Sequence, residues 1–140
     1  MKLNPDCIRD VMLEVEKSWE IYEEDSGALA MGCIEIGEIF QALPDYDKKD
    51  IFYSIYNLDQ AGYLDVETIF ADGGIVYHCV INSMTYQGHE FLDQIRDPKH
   101  WNAIKGGLSA VRNYSLDAIN AIASGVTAAA ISAYLKSNAP

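Results

Sequence analysis

The side chains that could do chemistry are few and scattered. His78, His89 and His100 follow one another at intervals of eleven residues, a spacing that fits no metal-ligand motif, and His78 and Cys79 as neighbours on a β-like run must point to opposite faces. Cys7, Cys33 and Cys79 are odd in number and far apart, so neither a disulfide framework nor a zinc knuckle is expected, and a reducing compartment is. No serine stands in a nucleophile elbow and no glycine-rich loop carries a phosphate-binding lysine. The neighbouring carboxylates Glu23 and Glu24 lie on a charged stretch where nothing would raise either pKa. This inventory predicts no catalytic residue, no metal and no cofactor, and a protein that is not an enzyme.

What remains is contact chemistry. In residues 47–61, Lys48, Lys49, Tyr53, Asn57 and Gln60 lie off the apolar face made by Ile51, Phe52, Ile55, Tyr56 and Leu58, which makes them the candidates for reading nucleic acid. Only two are cations, set among Asp45, Asp47, Asp50 and Asp59. DNA affinity comes largely from neutralised phosphates, so DNA is disfavoured as a partner and a protein is preferred. The whole chain agrees: 140 residues carry 21 acids and 10 bases, net −11. Residues 1–50 hold a net −8 and residues 101–140 a net +2. The acidic front reads first as a solvated, solubilising face; a site for a basic partner or a mimic of the DNA backbone is the sharper alternative.

The elements that would position these groups follow from caps and periodicity. Asn4-Pro5-Asp6 opens a helix whose stripe Ile8, Val11, Met12, Val15, Trp19 and Tyr22 predicts continuation to the turn at Glu24-Asp25-Ser26-Gly27. Ile34-Glu35-Ile36 predicts a minimal strand entering a short helix stopped by Pro44, and Asp47 caps the helix that ends at Gln60-Ala61-Gly62. Residues 63–70 and 75–81 alternate on either side of Asp72-Gly73-Gly74 and predict a two-stranded hairpin. Thr85 caps a helix bearing Phe91, Leu92 and Ile95, in which Gly88 would permit close approach of another backbone. Asp97-Pro98 starts a segment with Trp101, Ile104 and Leu108, weakened by Gly106-Gly107, and Ser115 starts a final helix to Lys136.

Helix, short strand, short helix, longer helix, hairpin and further helices is the order of a winged helix-turn-helix. The expected fold is therefore α+β, with a winged helix-turn-helix-like core over residues 1–97, a two-stranded wing over residues 63–82, and a helical C-terminal extension over residues 98–137. The final helix is apolar or small almost all round, so it should be buried against its own domain or against a second copy. Leu116, Ile119, Ile122, Val126, Ala129 and Ala133 are the candidates for a homo-oligomer seam, helped by the small residues Ala121, Gly125 and Ala129. Asp117 and Asn120 near its start and Ser124, Thr127 and Ser132 further on disfavour a membrane partner. With no apolar stretch of signal-peptide length behind Met1, a cytoplasmic location is expected.

Three stretches carry a resemblance. Met-Lys-Leu-Asn-Pro-Asp-Cys-Ile-Arg-Asp at 1–10, residues 53–63 around Leu58-Asp59-Gln60-Ala61-Gly62, and Met84-Thr85-Tyr86-Gln87-Gly88-His89-Glu90-Phe91-Leu92-Asp93-Gln94-Ile95-Arg96-Asp97 resemble the signatures of domain of unknown function family 2513, over nearly the whole chain. The resemblance implies a bacterial or prophage context and no established activity. The glycine- and alanine-rich residues 25–33 depart from it. Together these readings predict a small, non-enzymatic protein-interaction or regulatory module; the alternative is a DNA-binding transcriptional regulator using residues 47–61.

Overall fold

The computed structural model describes residues 1–138, a mixed α+β fold in which helices pack on small open sheets. Helix α1 (Pro5–Ser18) starts where expected: the Asn4 side chain accepts a hydrogen bond from Cys7 N, and Pro5 takes the first helical position. It ends four residues before Tyr22, which corrects the longer helix expected from spacing. Strands β1 (Ile21–Glu23) and β2 (Leu29–Met31) instead form an antiparallel hairpin with Tyr22 opposite Ala30. Gly27, at φ +85°, turns that hairpin and does not cap a helix. At the exit of α1 the Trp19 indole N–H donates to Gly32 O at 2.9 Å and to Asn82 O at 2.6 Å, tying the helix end to the β1–β2 hairpin and to residue 82, far away in sequence.

Strand β3 (Ile34–Glu35) runs directly into α2 (Ile36–Ala42), whose entry is a capping box between Glu35 and Glu38. Helix α3 (Lys48–Gln60) is capped by Asp47, which accepts from Lys49 N. Strands β4 (Leu64–Ala71) and β5 (Ile75–Met84) form the predicted hairpin around a short 3-10 turn at Asp72–Gly74. β3 adds to β5, giving the antiparallel order β3-β5-β4. The register slips between Asp65 and Val66 and between Ile69 and Phe70, leaving an extra residue in β5 at Asn82 and at Tyr77. The first of these bulges presents the carbonyl that Trp19 takes.

Helix α4 (Tyr86–Ile95) begins on the predicted Thr85 cap, whose hydroxyl accepts from Gly88 N. Helix α5 (Pro98–Val111) begins on Asp97 and runs unbroken through Gly106-Gly107. Gly107 is used for packing: a Cβ there would lie 3.0 Å from the Ile122 side chain of α6 (Leu116–Ser137). Cys7, Ile8, Val11, Ile51, Ile55, Leu58, Ile81, Phe91 and Leu92 join Trp101, Ile104, Leu108, Ile119 and Ala123 in one buried cluster, so the core passes without a break from residues 1–97 into residues 98–137.

Two charged residues of α1, Arg9 and Asp6, tie it to the helices that follow. Arg9 donates from Nε to Ile95 O at 2.8 Å and from Nη2 to Arg96 O at 2.6 Å, closing the open carbonyl end of α4 with a cation. Asp6 accepts from the Trp101 indole at 2.8 Å and pairs with Lys105 at 3.2 Å, tying α1 to α5.

Candidate functional site

Helix α3 buries Ile51, Ser54, Ile55 and Leu58 against α1 and the sheet. Its opposite face carries Lys49, Tyr53, Tyr56 and Gln60. Of the five predicted contact residues the structure groups three there, Lys49, Tyr53 and Gln60. Lys48 leans to the side, its ammonium 5.5 Å over the Phe40 ring of α2. Asn57 turns its amide back to donate to Tyr53 O at 2.8 Å, so one of its donors is spent within the helix.

Lys48 and Lys49 stand at the rim of a groove of about 320 Å³ whose walls are Ile36 and Phe40 of α2, Phe52 of α3 and Val76 of β5. The groove continues onto the end of the β4–β5 hairpin, where Ile69, Phe70, Ile75, Val76 and Tyr77 are all exposed, Tyr77 to 78%. Sequence reasoning passed over these apolar residues. The signal was present: Ile69-Phe70 and Ile75-Val76-Tyr77 are consecutive apolar runs, whereas a hairpin with one buried face alternates. Along β4 the alternation holds only as far as Thr68, with Leu64, Val66 and Thr68 covered and Asp65 and Glu67 exposed. Beyond it the hairpin leaves the core, and both faces meet solvent. Asp65, Glu67 and Asp72 are the charges on this hairpin, with no Lys or Arg between residues 63 and 82.

The six predicted seam residues of α6 separate into two groups. Ile119 is fully buried in the core, and Leu116, Ile122 and Val126 pack against it, so the first half of the helix is covered by α4 and α5 of the same chain. Ala129 and Ala133 lie in the exposed second half, with Ile131, Tyr134 and Leu135. By length and composition α6 could cross a membrane: 22 residues, mean hydropathy 1.5 and 11% of the window buried. The first half of that helix keeps one face on α4 and α5 of the same chain.

His78 lies on the hairpin, His89 on the outer face of α4 and His100 in the first turn of α5. Among the described residues no three His, Cys, Asp or Glu side chains converge on a point where a metal could sit. Burial pushes the Cys7 and Cys79 thiols up from the ordinary value, against weaker opposing hydrogen bonds to Ser54 and Thr68 respectively. A buried thiol held protonated is a poor nucleophile.

Two of the three stretches that carry the family resemblance, residues 53–63 and 84–97, meet at one joint. Gly62, at φ +80°, turns α3 toward β4; the Thr85 hydroxyl donates to Gly62 O at 2.5 Å, and Thr85 N donates to Tyr63 O at 3.1 Å. Gly88 lies so close to the Tyr63 carbonyl that a Cβ there would overlap it, which is the close backbone approach expected of this glycine. Tyr63 stacks on Phe91 at 4.5 Å between ring centroids. Asp59 accepts from Val66 N at 3.2 Å.

These joint-building residues belong to the signature of a recognised family. Residues 2–113 match the family described as "Hypothetical protein (DUF2513)", and the chain belongs to that family. It is also 31% identical over 128 residues to an uncharacterized protein of Haemophilus influenzae, covering 88% of this chain and 92% of the relative. No solved structure matches the chain.

Proposed function

We propose that the chain is a non-enzymatic protein-interaction module on a winged-helix scaffold, docking a protein partner through the face made by α2, α3 and the end of the β4–β5 hairpin. The scaffold reading rests on element order and on the sheet order β3-β5-β4, with α2 and α3 connecting β3 to β4 along the chain. The observation that carries the functional reading is the hairpin itself: five large apolar residues exposed together, with three acids and no cation. A wing that follows DNA needs cations for phosphates, whereas an exposed apolar patch beside an apolar groove is the mark of a protein contact. Lys48 and Lys49 on the groove rim suit a partner segment that offers apolar side chains with a carboxylate beside them.

The test is binding of a mixed-sequence duplex, followed by fluorescence anisotropy from low to physiological salt. The expected result is a flat trace. Micromolar affinity that weakens with salt and is lost in Lys48→Glu with Lys49→Glu would favour the regulator that reads DNA with α3.

A further inference from the structure

A second recess lies where the N-terminal arm passes the joint between α5 and α6. It is about 600 Å³, lined by Lys2, Leu3, Arg112, Asn113, Tyr114 and Ser115 with Ser109 behind, a volume within the range of small-molecule sites. In a protein of net −11 this recess has two cations and no carboxylate in its lining. Among the described residues Arg112 has no ion-pair partner, whereas the other two arginines, Arg9 and Arg96, do; Lys2, like most of the lysines, has none either.

The polar groups beside those cations are arranged as donors. Asn113 Oδ1 accepts from Ser115 N at 3.1 Å, which leaves the amide NH2 of Asn113 to donate. Ser115 Oγ accepts from Ala118 N at 3.1 Å, which leaves its hydroxyl proton to donate. Arg112 is the only non-glycine among the described residues with positive φ, at 55°. It ends α5 in the left-handed conformation with its N–H on Leu108 O. Glycine is the ordinary occupant of that position, and an arginine there accepts backbone strain to place a guanidinium at the rim. Leu3 and the ring of Tyr114 supply an apolar wall.

We infer that this recess binds a phosphate monoester of mononucleotide size, its phosphate taken by Lys2, Arg112, Asn113 and Ser115 and its flat body laid against Tyr114 and Leu3. The experiment is an NMR titration of the full chain with AMP, with adenosine as the uncharged control. Saturable shifts confined to residues near 2–3 and 109–115 are expected, weaker at about 200 mM salt than at about 20 mM, with little response to adenosine. Arg112→Gly should weaken AMP at least fivefold while keeping or raising the Tm, because glycine adopts this φ freely; a purely structural arginine would leave AMP affinity unchanged. Lys2→Ala, on the N-terminal arm, should weaken AMP by a similar factor without touching the fold. The inference is overturned by the absence of saturable shifts at millimolar AMP, by equal binding of adenosine, or by affinity that neither substitution moves.

Discussion

Gly88 is where a single methyl group should matter most. A Cβ at this position overlaps the Tyr63 carbonyl and lies 2.8 Å from the Met84 side chain, and the first of these is backbone that cannot swing away. Gly88→Ala should therefore cost about 3 kcal/mol or more in denaturant unfolding; an unchanged midpoint would refute the joint described here. Charge at this scale acts mainly through pH. The Arg96 guanidinium hydrogen-bonded to Glu16 holds that carboxyl below its ordinary 4.5, and the backbone N–H groups of His100 and Lys99 hold Asp97 below its ordinary 3.8. Both folded pKa values are depressed, so both contributions are complete above the ordinary carboxylate range and are lost as pH falls through the folded values. Stability should drop below about pH 4.5, and Arg96→Ala should make that acid limb shallower. At neutral pH the same substitution should cost only about 0.5–1 kcal/mol, since both partners are a third or more exposed to screening solvent. Thiol chemistry gives a simpler count: Cys33 is exposed whereas Cys7 and Cys79 are buried. A native titration with an aromatic disulfide reagent should find one fast thiol, and three in denaturant.

At the scale of elements, the division of α6 decides what truncation does. Removing residues 128–140 takes away only the exposed second half and should leave the fold and its Tm nearly unchanged. Removing residues 116–140 also strips Ile119 and Ala123 from the core beside Ile104 and Leu108. Each buried aliphatic side chain exposed in this way costs about 1.5–3 kcal/mol, so that shorter chain should unfold or aggregate. Gel filtration of the 128–140 deletion beside the full chain also reads the self-association expected of Ala129 and Ala133. A fall in apparent mass by a whole protomer or more locates a seam there, and a fall no larger than the thirteen missing residues removes it. The starts of α1, α3, α4, α5 and α6 were legible because each is set by one local side chain, Asn4, Asp47, Thr85, Asp97 or Ser115, accepting from a backbone N–H two or three residues on. The β1–β2 hairpin was not legible, because Val15, Trp19 and Tyr22 keep helical spacing while the contacts at the helix exit, from Trp19 to Gly32 and Asn82, join residues far apart in sequence. Nor could all-round apolar character reveal that neighbouring helices cover only half of α6. The groove on α3 was half legible: Lys48 and Lys49 drew attention by their charge, whereas Phe40, Phe52 and Val76 read as ordinary core.

For the molecule as a whole, acids and cations are unevenly placed. Acids crowd the first hundred residues, while the two recesses without a lining carboxylate, at the hairpin groove and at the α5–α6 joint, hold Lys48, Lys49, Lys2 and Arg112. A net −11 opposes the long-range approach of a polyanion, whereas cations beside apolar walls act only at short range. The central claim is that the apolar end of the β4–β5 hairpin is covered by a protein. Its most direct measurement is photo-crosslinking in cells from a reactive side chain placed at Tyr77, with nuclease treatment and with Val76→Asp as the altered groove. The account predicts a discrete, nuclease-resistant protein adduct that disappears in the Val76→Asp background. An adduct destroyed by nuclease, or one indifferent to Val76→Asp, would contradict it.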